Sequence, residues 1–118
     1  MKPSPKKRLY SLPEFKANLK LLTKKYRNLK ADLQPTLNLL EDGDLPGDKI
    51  PDVAYDVYKV RISNSSAQRG KSGGFRLIYY VSLGNTIYLV TVYSKTQQSD
   101  IAISKLELLL IDIDTYEE

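Results

Sequence analysis

Apolar residues recur at helical spacing in the first quarter of the chain. They fall three or four residues apart, as on one face of a helix: Phe15, Leu19, Leu22, Tyr26 and Leu29. Ahead of them, Ser11 and Glu14 match a capping box, in which each side chain bonds the backbone amide of the other residue. We therefore predict a helix that begins after Ser11 and runs to about residue 30. Residues 1–6 are expected to be a frayed start, and residues 7–10 a short edge strand.

A second, shorter apolar stripe follows, and it is formed by Leu33, Leu37 and Leu40. Asp32 and Pro35 predict a break and restart of the helix, because proline is tolerated in the first turn of a helix. The sequence 41–52 contains two glycines and two prolines among acidic residues, which indicates a loop. Gly43 at its start is the expected C-terminal cap of the second helix.

The period changes from helical to two near Val57, which is typical of β-strands. Alternation predicts a strand from about residue 57 to 62, a second over 75–83 and a third over 86–95. Ser104 and Glu107 match another capping box, ahead of a short C-terminal helix. The order predicts an α+β fold, in which an N-terminal helix pair packs on a small antiparallel meander with a short C-terminal helix.

The dipeptide Gly84-Asn85 is the expected two-residue turn between the last two strands. Such a turn fixes which residues lie opposite one another. The predicted partners are Arg76 and Tyr93, Ile78 and Thr91, Tyr80 and Leu89, and Gly74 and Lys95. This register would gather cationic and phenolic side chains at one end of the sheet.

Length and composition restrict the chemistry that the protein can perform. A chain of 118 residues corresponds to one domain over 1–118, with an acidic tail at 112–118. No apolar run is long enough to cross a bilayer, so we expect no membrane partner. The sequence contains neither cysteine nor histidine, which excludes thiolate and imidazole chemistry. A catalytic site would therefore have to use lysine, arginine, tyrosine and carboxylates, and we expect no cofactor and no metal.

Charge is distributed in blocks, although the net charge is only +4. Residues 59–95 contain six cations and no carboxylate: Lys59, Arg61, Arg69, Lys71, Arg76 and Lys95. In a protein whose residues are 27% charged, this block predicts a surface for an anionic partner. Gly73 and Gly74 lie in its glycine-rich loop. They are expected either to form a turn or to let a phosphate approach the backbone.

Three segments resemble toxins of the RelE/ParE superfamily, and most closely the RelE- and HigB-like members of type II toxin–antitoxin pairs. They are YKVR at 58–61, RGKSGGFRLIYY at 69–80 and VYSK at 92–95. The resemblance covers roughly residues 8–110, including the helix pair. It implies a RelE-like microbial RNase fold and a cytoplasmic, metal-independent endoribonuclease. Its expected partners are mRNA in the ribosomal A site, the ribosome and a cognate antitoxin protein.

The resemblance also implies roles for individual residues. Lys59, Arg61, Arg76, Tyr93 and Lys95 correspond to catalytic positions, and Arg69, Lys71, Gly73 and Gly74 to RNA-binding positions. Arg61 and Arg76 would stabilise the charge on phosphorus. Lys59 or Lys95 would share proton transfer, and Tyr93 would stack on a base or move a proton. Some relatives use a tyrosine on the C-terminal helix, but residues 100–110 contain none, so the general base stays open.

Three other interpretations are compatible with the sequence. Within the superfamily, a ParE-like protein would inhibit DNA gyrase and cleave nothing, although such members generally lack the full basic set. A non-catalytic RNA-binding module would bind RNA in a salt-dependent manner and release no product. A structural domain with hydrated charges would lose only solubility when Arg76, Tyr93 and Lys95 are neutralised.

Overall fold

A computed structural model describes residues 6–65, 74–98, 100–111 and 113. In chain order its elements are β1 (Arg8–Ser11), α1 (Pro13–Lys25), α2 (Leu29–Glu41), β2 (Asp48–Lys49), β3 (Val57–Ile62), β4 (Phe75–Val81), β5 (Thr86–Ser94) and α3 (Ile103–Ile111). The α+β class predicted from the sequence is confirmed. Within the described residues, none of these helices is both long and apolar enough to cross a membrane.

The five strands form one sheet in the order β1-β5-β4-β3-β2. The predicted meander β3-β4-β5 is antiparallel, but the sheet as a whole is mixed, because β1 pairs in parallel with the first half of β5. The prediction of an antiparallel sheet preceded by helices is therefore wrong in part. The edge strand expected at residues 7–10 is confirmed at 8–11, whereas β2 lies within residues 41–52, for which the sequence predicts a loop.

Helices cover both faces of this sheet. Leu22 of α1 and Leu33 of α2 join Phe75 and Leu77 in one apolar cluster. On the opposite face, α3 packs through three residues against side chains of the meander: Leu106, Leu110 and the following Ile113. Because helices cover both faces, β4 and β5 are apolar or aromatic at most positions, as expected for a sheet between two layers.

The β4–β5 hairpin contains a change of register. Ser82 pairs with Thr86, so the loop has three residues, 83–85, rather than the predicted two. Tyr80 consequently lies opposite Tyr88, and its predicted pairing with Leu89 is wrong. An extra residue on β5, Val90, then shifts the register by one, which is the definition of a β-bulge.

Beyond the bulge, the register agrees with the sequence prediction. Arg76 lies opposite Tyr93, and Ile78 lies opposite Thr91. The backbone N–H of Lys95 donates to the carbonyl of Gly74 at 3.0 Å. The longer loop and the bulge compensate for each other, so three of the four predicted pairs are confirmed although the predicted turn is wrong.

The helix ends differ from the predictions. Ser11 belongs to β1, and α1 begins without a side-chain cap after Leu12, so the first capping box does not form. The helix ends at Lys25, where Tyr26 turns into an extended conformation and packs its ring edge-on against Phe75. This tertiary contact ends the helix about five residues earlier than its apolar pattern indicates.

Pro35 lies in the middle of α2 and not in its first turn. A proline there leaves the carbonyl of Ala31 without a helical partner. Ala31 is exposed, so water can bind this carbonyl. Ser104 likewise lies within α3, which begins at Ile103, so the second predicted capping box is also wrong.

Gly43 ends α2 as predicted. Its φ is +95°, its N–H donates to Leu40, and the N–H of Asp44 donates to Leu39. These two bonds form a Schellman motif, which satisfies carbonyls in the last turn of the helix.

Near the termini, Lys6 is held by an ion pair with Asp42 at 2.7 Å, and Ile113 is buried and helical. The rest of the predicted frayed start and acidic tail lies outside the described residues.

Replacing Gly74 by alanine should destabilise the protein more than replacing Gly43. Both glycines have left-handed φ angles, +58° and +95°, which cost an alanine roughly 1–2 kcal/mol. A Cβ at Gly74 would also collide with the carbonyl oxygen of Ile62, whereas no atom lies within 4 Å of the corresponding position at Gly43. Urea unfolding should show an additional loss of about 1 kcal/mol or more for Gly74→Ala. Equal losses would contradict the collision.

Candidate nucleic-acid interface

Three adjacent strands contribute one residue each to a row across the sheet. Arg61 of β3 lies opposite Arg76 of β4, which in turn lies opposite Tyr93 of β5. Directly opposed residues project from the same face of a sheet, at about 5 Å between their Cβ atoms. Tyr93 belongs to the apolar cluster beneath α3, so the row lies on the α3 face. We call these three residues the basic row.

Lys59 lies next to the basic row on the same face of β3. It pairs across the strands with Ile78, a residue buried beneath α3. Its Nζ lies 3.4 Å from both carboxylate oxygens of Asp100, which follows β5 and precedes α3. The ion pair is partly exposed, since 34% of the Lys59 side chain is accessible to solvent. An exposed pair of this kind adds little stability, so it can open at little cost when another anion binds.

Asp100 links Lys59 to the basic row. Its Oδ1 accepts a hydrogen bond from the phenol of Tyr93 at 3.2 Å and another from the backbone N–H of Ile101 at 2.9 Å. Partial burial opposes ionisation of Asp100. The Ile101 amide, the charge of Lys59 and the Tyr93 hydroxyl outweigh it and hold the pKa of the carboxyl below its usual range. Asp100 is therefore a carboxylate at neutral pH.

Tyr93 is buried, with 5% of its surface exposed. Burial, and next the charge and hydrogen bond of the neighbouring Asp100 carboxylate, together raise the pKa of its phenol to about 12, while Arg76 acts in the opposite direction. At neutral pH the phenol is protonated and donates to Asp100. A ring this buried has almost no surface on which a base could stack, so of the two predicted roles of Tyr93 the stacking role does not fit.

The opposed arginines indicate what the surface can bind. Like charges directly opposite each other on neighbouring strands are unfavourable. Arg61 is exposed and Arg76 is half-buried, with one guanidinium N–H donating to the carbonyl of Phe75 at 3.2 Å. A phosphate between two guanidinium groups would relieve the repulsion and accept bidentate hydrogen bonds from them. The arrangement favours an anion with several oxygen acceptors.

For the other predicted site residues, the structure describes two, Gly74 and Lys95, and their contribution is a backbone contact. The backbones of Lys95 and Gly74 pair at the end of the hairpin where the basic row lies. Gly74 is required there by its positive φ and by the nearby carbonyl of Ile62, so the chain geometry alone explains the glycine. Arg69, Lys71 and Gly73 lie outside the described residues.

Asp100 is the site residue that sequence reasoning missed. Asp100 lies outside the acid-free block of residues 59–95 and is the first carboxylate after it. One signal was available: the chain that leaves β5 must start from the sheet end where Tyr93 lies. The first acidic residue of that connection therefore had to fall near the cations.

The chain matches no protein-family model, and no curated protein sequence is significantly similar to it.

Replacing Asp100 by asparagine should lower the pKa of Tyr93 from about 12, because the carboxylate favours the protonated phenol through its charge and its hydrogen bond. The phenolate absorbance of each protein can be measured as a function of pH. Subtracting the absorbance of the same protein with Tyr93→Phe isolates the titration of Tyr93 and gives its pKa. Asp44→Asn, at an exposed carboxylate in the loop after α2, is the matched control and should leave it unchanged. A Tyr93 pKa that does not fall in Asp100→Asn would contradict the contact.

Proposed function

We propose that this protein is a metal-independent endoribonuclease that cleaves mRNA on the ribosome, as the RelE- and HigB-like toxins it resembles do. A cognate antitoxin would neutralise it. One observation carries the proposal: Arg61, Arg76 and Tyr93 are aligned across three strands, with Lys59 and Asp100 beside them. Cations, a phenol and a carboxylate are the groups that a histidine-free ribonuclease would need.

In the proposed complex, a phosphodiester lies over the two arginines. Cleavage of RNA needs no external nucleophile, because the ribose 2′-hydroxyl attacks the adjacent phosphorus. A bond forms between the 2′-oxygen and phosphorus, and the bond from phosphorus to the 5′-oxygen breaks. The products are a 2′,3′-cyclic phosphate and a 5′-hydroxyl end. Negative charge grows on the phosphoryl oxygens during attack, and preorganised guanidinium donors stabilise it.

The reaction also requires a proton acceptor and a proton donor. Asp100 is ionised and next to the basic row, so we assign it the proton of the 2′-hydroxyl. Tyr93 is protonated and buried, so it acts as a hydrogen-bond donor that positions Asp100. The ion pair with Asp100 uses the charged ammonium form of Lys59, which suits Lys59 to phosphate binding better than to proton transfer. The ribosome or water supplies the proton to the 5′-oxygen.

A second candidate is an RNA-binding protein without nuclease activity. The pKa directions favour it: the pKa of Tyr93 lies far above neutrality and that of Asp100 lies below its usual range. General acids and bases work best with pKa values near the operating pH. Such a protein would bind RNA through the same cations, with an affinity that falls as salt concentration rises.

Replacing Arg76 by alanine should reduce cleavage by about 100- to 1000-fold, the usual effect of removing one donor from a developing oxyanion. The protein should be produced in growing bacteria, and the 5′ ends of cellular mRNA should be mapped. The original protein should yield new in-frame ends within translated messages, and Arg76→Ala should not.

Arg27→Ala is the matched control, because Arg27 is an exposed arginine between α1 and α2. Retained cleavage in folded Arg76→Ala would contradict the assigned role of Arg76. Absence of new ends with the original protein, together with salt-sensitive RNA binding in vitro, would favour the second candidate.

Replacing Asp100 by asparagine should separate binding from chemistry. RNA affinity should rise or stay unchanged, since one negative charge leaves a cationic surface. Cleavage should fall by roughly 100- to 10,000-fold, as for loss of a general base. Affinity can be measured with a non-cleavable 2′-deoxy oligonucleotide and rate with the matching RNA. Tighter binding with an undiminished rate would show that Asp100 is only an electrostatic neighbour.

A further inference from the structure

A cavity of about 360 Å³ lies between β2, the turn after it and the start of α3. This size lies within the range of small-molecule sites. Lys59 and Asp100 line the cavity, and Asp100 also accepts the hydrogen bond from Tyr93, so the cavity lies next to the basic row. Its position is a consequence of the fold, because the segment that leads from β5 into α3 and the start of α3 lie beside β2 and the turn after it.

The lining of the cavity combines apolar walls with carboxylates. The walls are aliphatic and come from two separate segments of the chain, one with Ile50 and Pro51 and the other with Ile101, Ile103 and Leu106. Three charged residues of the lining form ion pairs. Lys59 pairs with Asp100, and Lys49 pairs with Asp56, which lies outside the lining, at 2.8 Å. Asp48 and Asp52 also line the cavity, and neither forms an ion pair with any other residue that the structure describes.

This lining fits a flat heterocycle better than an ion. A phosphate would meet Asp48 and Asp52, which repel it. A divalent cation needs several converging oxygen ligands, and no group of three acidic side chains within the described ranges is arranged to hold one. A ring with N–H groups on its edge can place its faces against the aliphatic walls and donate to the carboxylates.

We infer that this cavity binds a nucleobase of the RNA, and specifically guanine. The inference rests on the proposed function, because Lys59 then contacts both the phosphate surface and the base cavity. Residues 59 and 61 lie about 7 Å apart along β3, so a nucleotide whose phosphate contacts Arg61 has its base within reach of the cavity.

The choice of guanine follows from the acceptors. A carboxylate offers only acceptors, so it selects an edge with adjacent donors. Guanine presents N1–H and the exocyclic amino group side by side on its Watson–Crick edge. Adenine and cytosine place a ring-nitrogen acceptor next to their amino group, and uracil places carbonyl oxygens on both sides of its N–H. Exposed bases in single-stranded RNA are commonly recognised through this edge.

Titration of the full chain with 3′-GMP, 3′-AMP, 3′-CMP and 3′-UMP tests the inference without any cleavage. We expect 3′-GMP to bind about tenfold more tightly than the other three nucleotides, a typical discrimination for one bidentate pair. Asp48→Asn and Asp52→Asn, separately and together, should remove that preference while retaining weak binding of all four. Both residues are exposed, so the variants should fold, and Asp44→Asn is the matched control.

Equal affinity for the four nucleotides, or a guanine preference that survives the double variant, would overturn the inference. The outcome is separate from that of the proposed function. RNA cleavage without guanine selectivity would contradict guanine binding in the cavity but would agree with the proposed nuclease activity. Guanine-selective binding that depends on Asp48 and Asp52, in a protein that cleaves no RNA, would support guanine binding in the cavity and contradict the nuclease activity.

Discussion

One extra residue, Val90, determines which side chains of β5 face α3. Before the bulge, Tyr80 pairs with Tyr88, and beyond it Arg76 pairs with Tyr93. Without the bulge, the three-residue loop would place Tyr93 opposite Phe75, a residue of the other sheet face. A shift of one residue exchanges the faces of every side chain that follows. The basic row, and the hydrogen bond from Tyr93 to Asp100, therefore depend on this local irregularity.

On the side away from β4, the second half of β5 contacts a helix and not another strand. β1 pairs only with residues 86–89 of β5. Beyond that point α1 packs beside β5, and Asn18 donates to the hydroxyl of Thr91 at 2.9 Å. Glu14 at the start of the same helix lies 3.4 Å from Lys105 of α3. α1 thus contacts the β5 segment that carries the bulge and also reaches the helix above the other face, which supports the position of Tyr93.

The candidate site combines opposite charges from distant parts of the chain. Lys59 and Asp100 are 41 residues apart, yet they form an ion pair next to two opposed arginines. A site with cations alone would repel itself, whereas one carboxylate at its edge reduces that repulsion and remains displaceable because the pair is exposed. The same pair separates the basic row from the cavity between β2 and α3, so one contact lies between two regions of different chemistry.

The sequence by itself determined the α+β class, the positions of β1, β3, β4 and β5, the Schellman end of α2 at Gly43 and the acid-free block of cations. These follow from spacing, from backbone preferences and from charge, which act over a few residues. The tertiary structure decided the parallel pairing of β1, the end of α1 at Tyr26, the bulge and the position of Asp100. The physical reason is clearest in β5. Residues 87–93 are buried on both faces because helices cover both sides of the sheet, and all but Thr91 are apolar or aromatic, so alternation could not specify which face each residue occupies. Only the packing of α1, α2 and α3 against the strands selects the register.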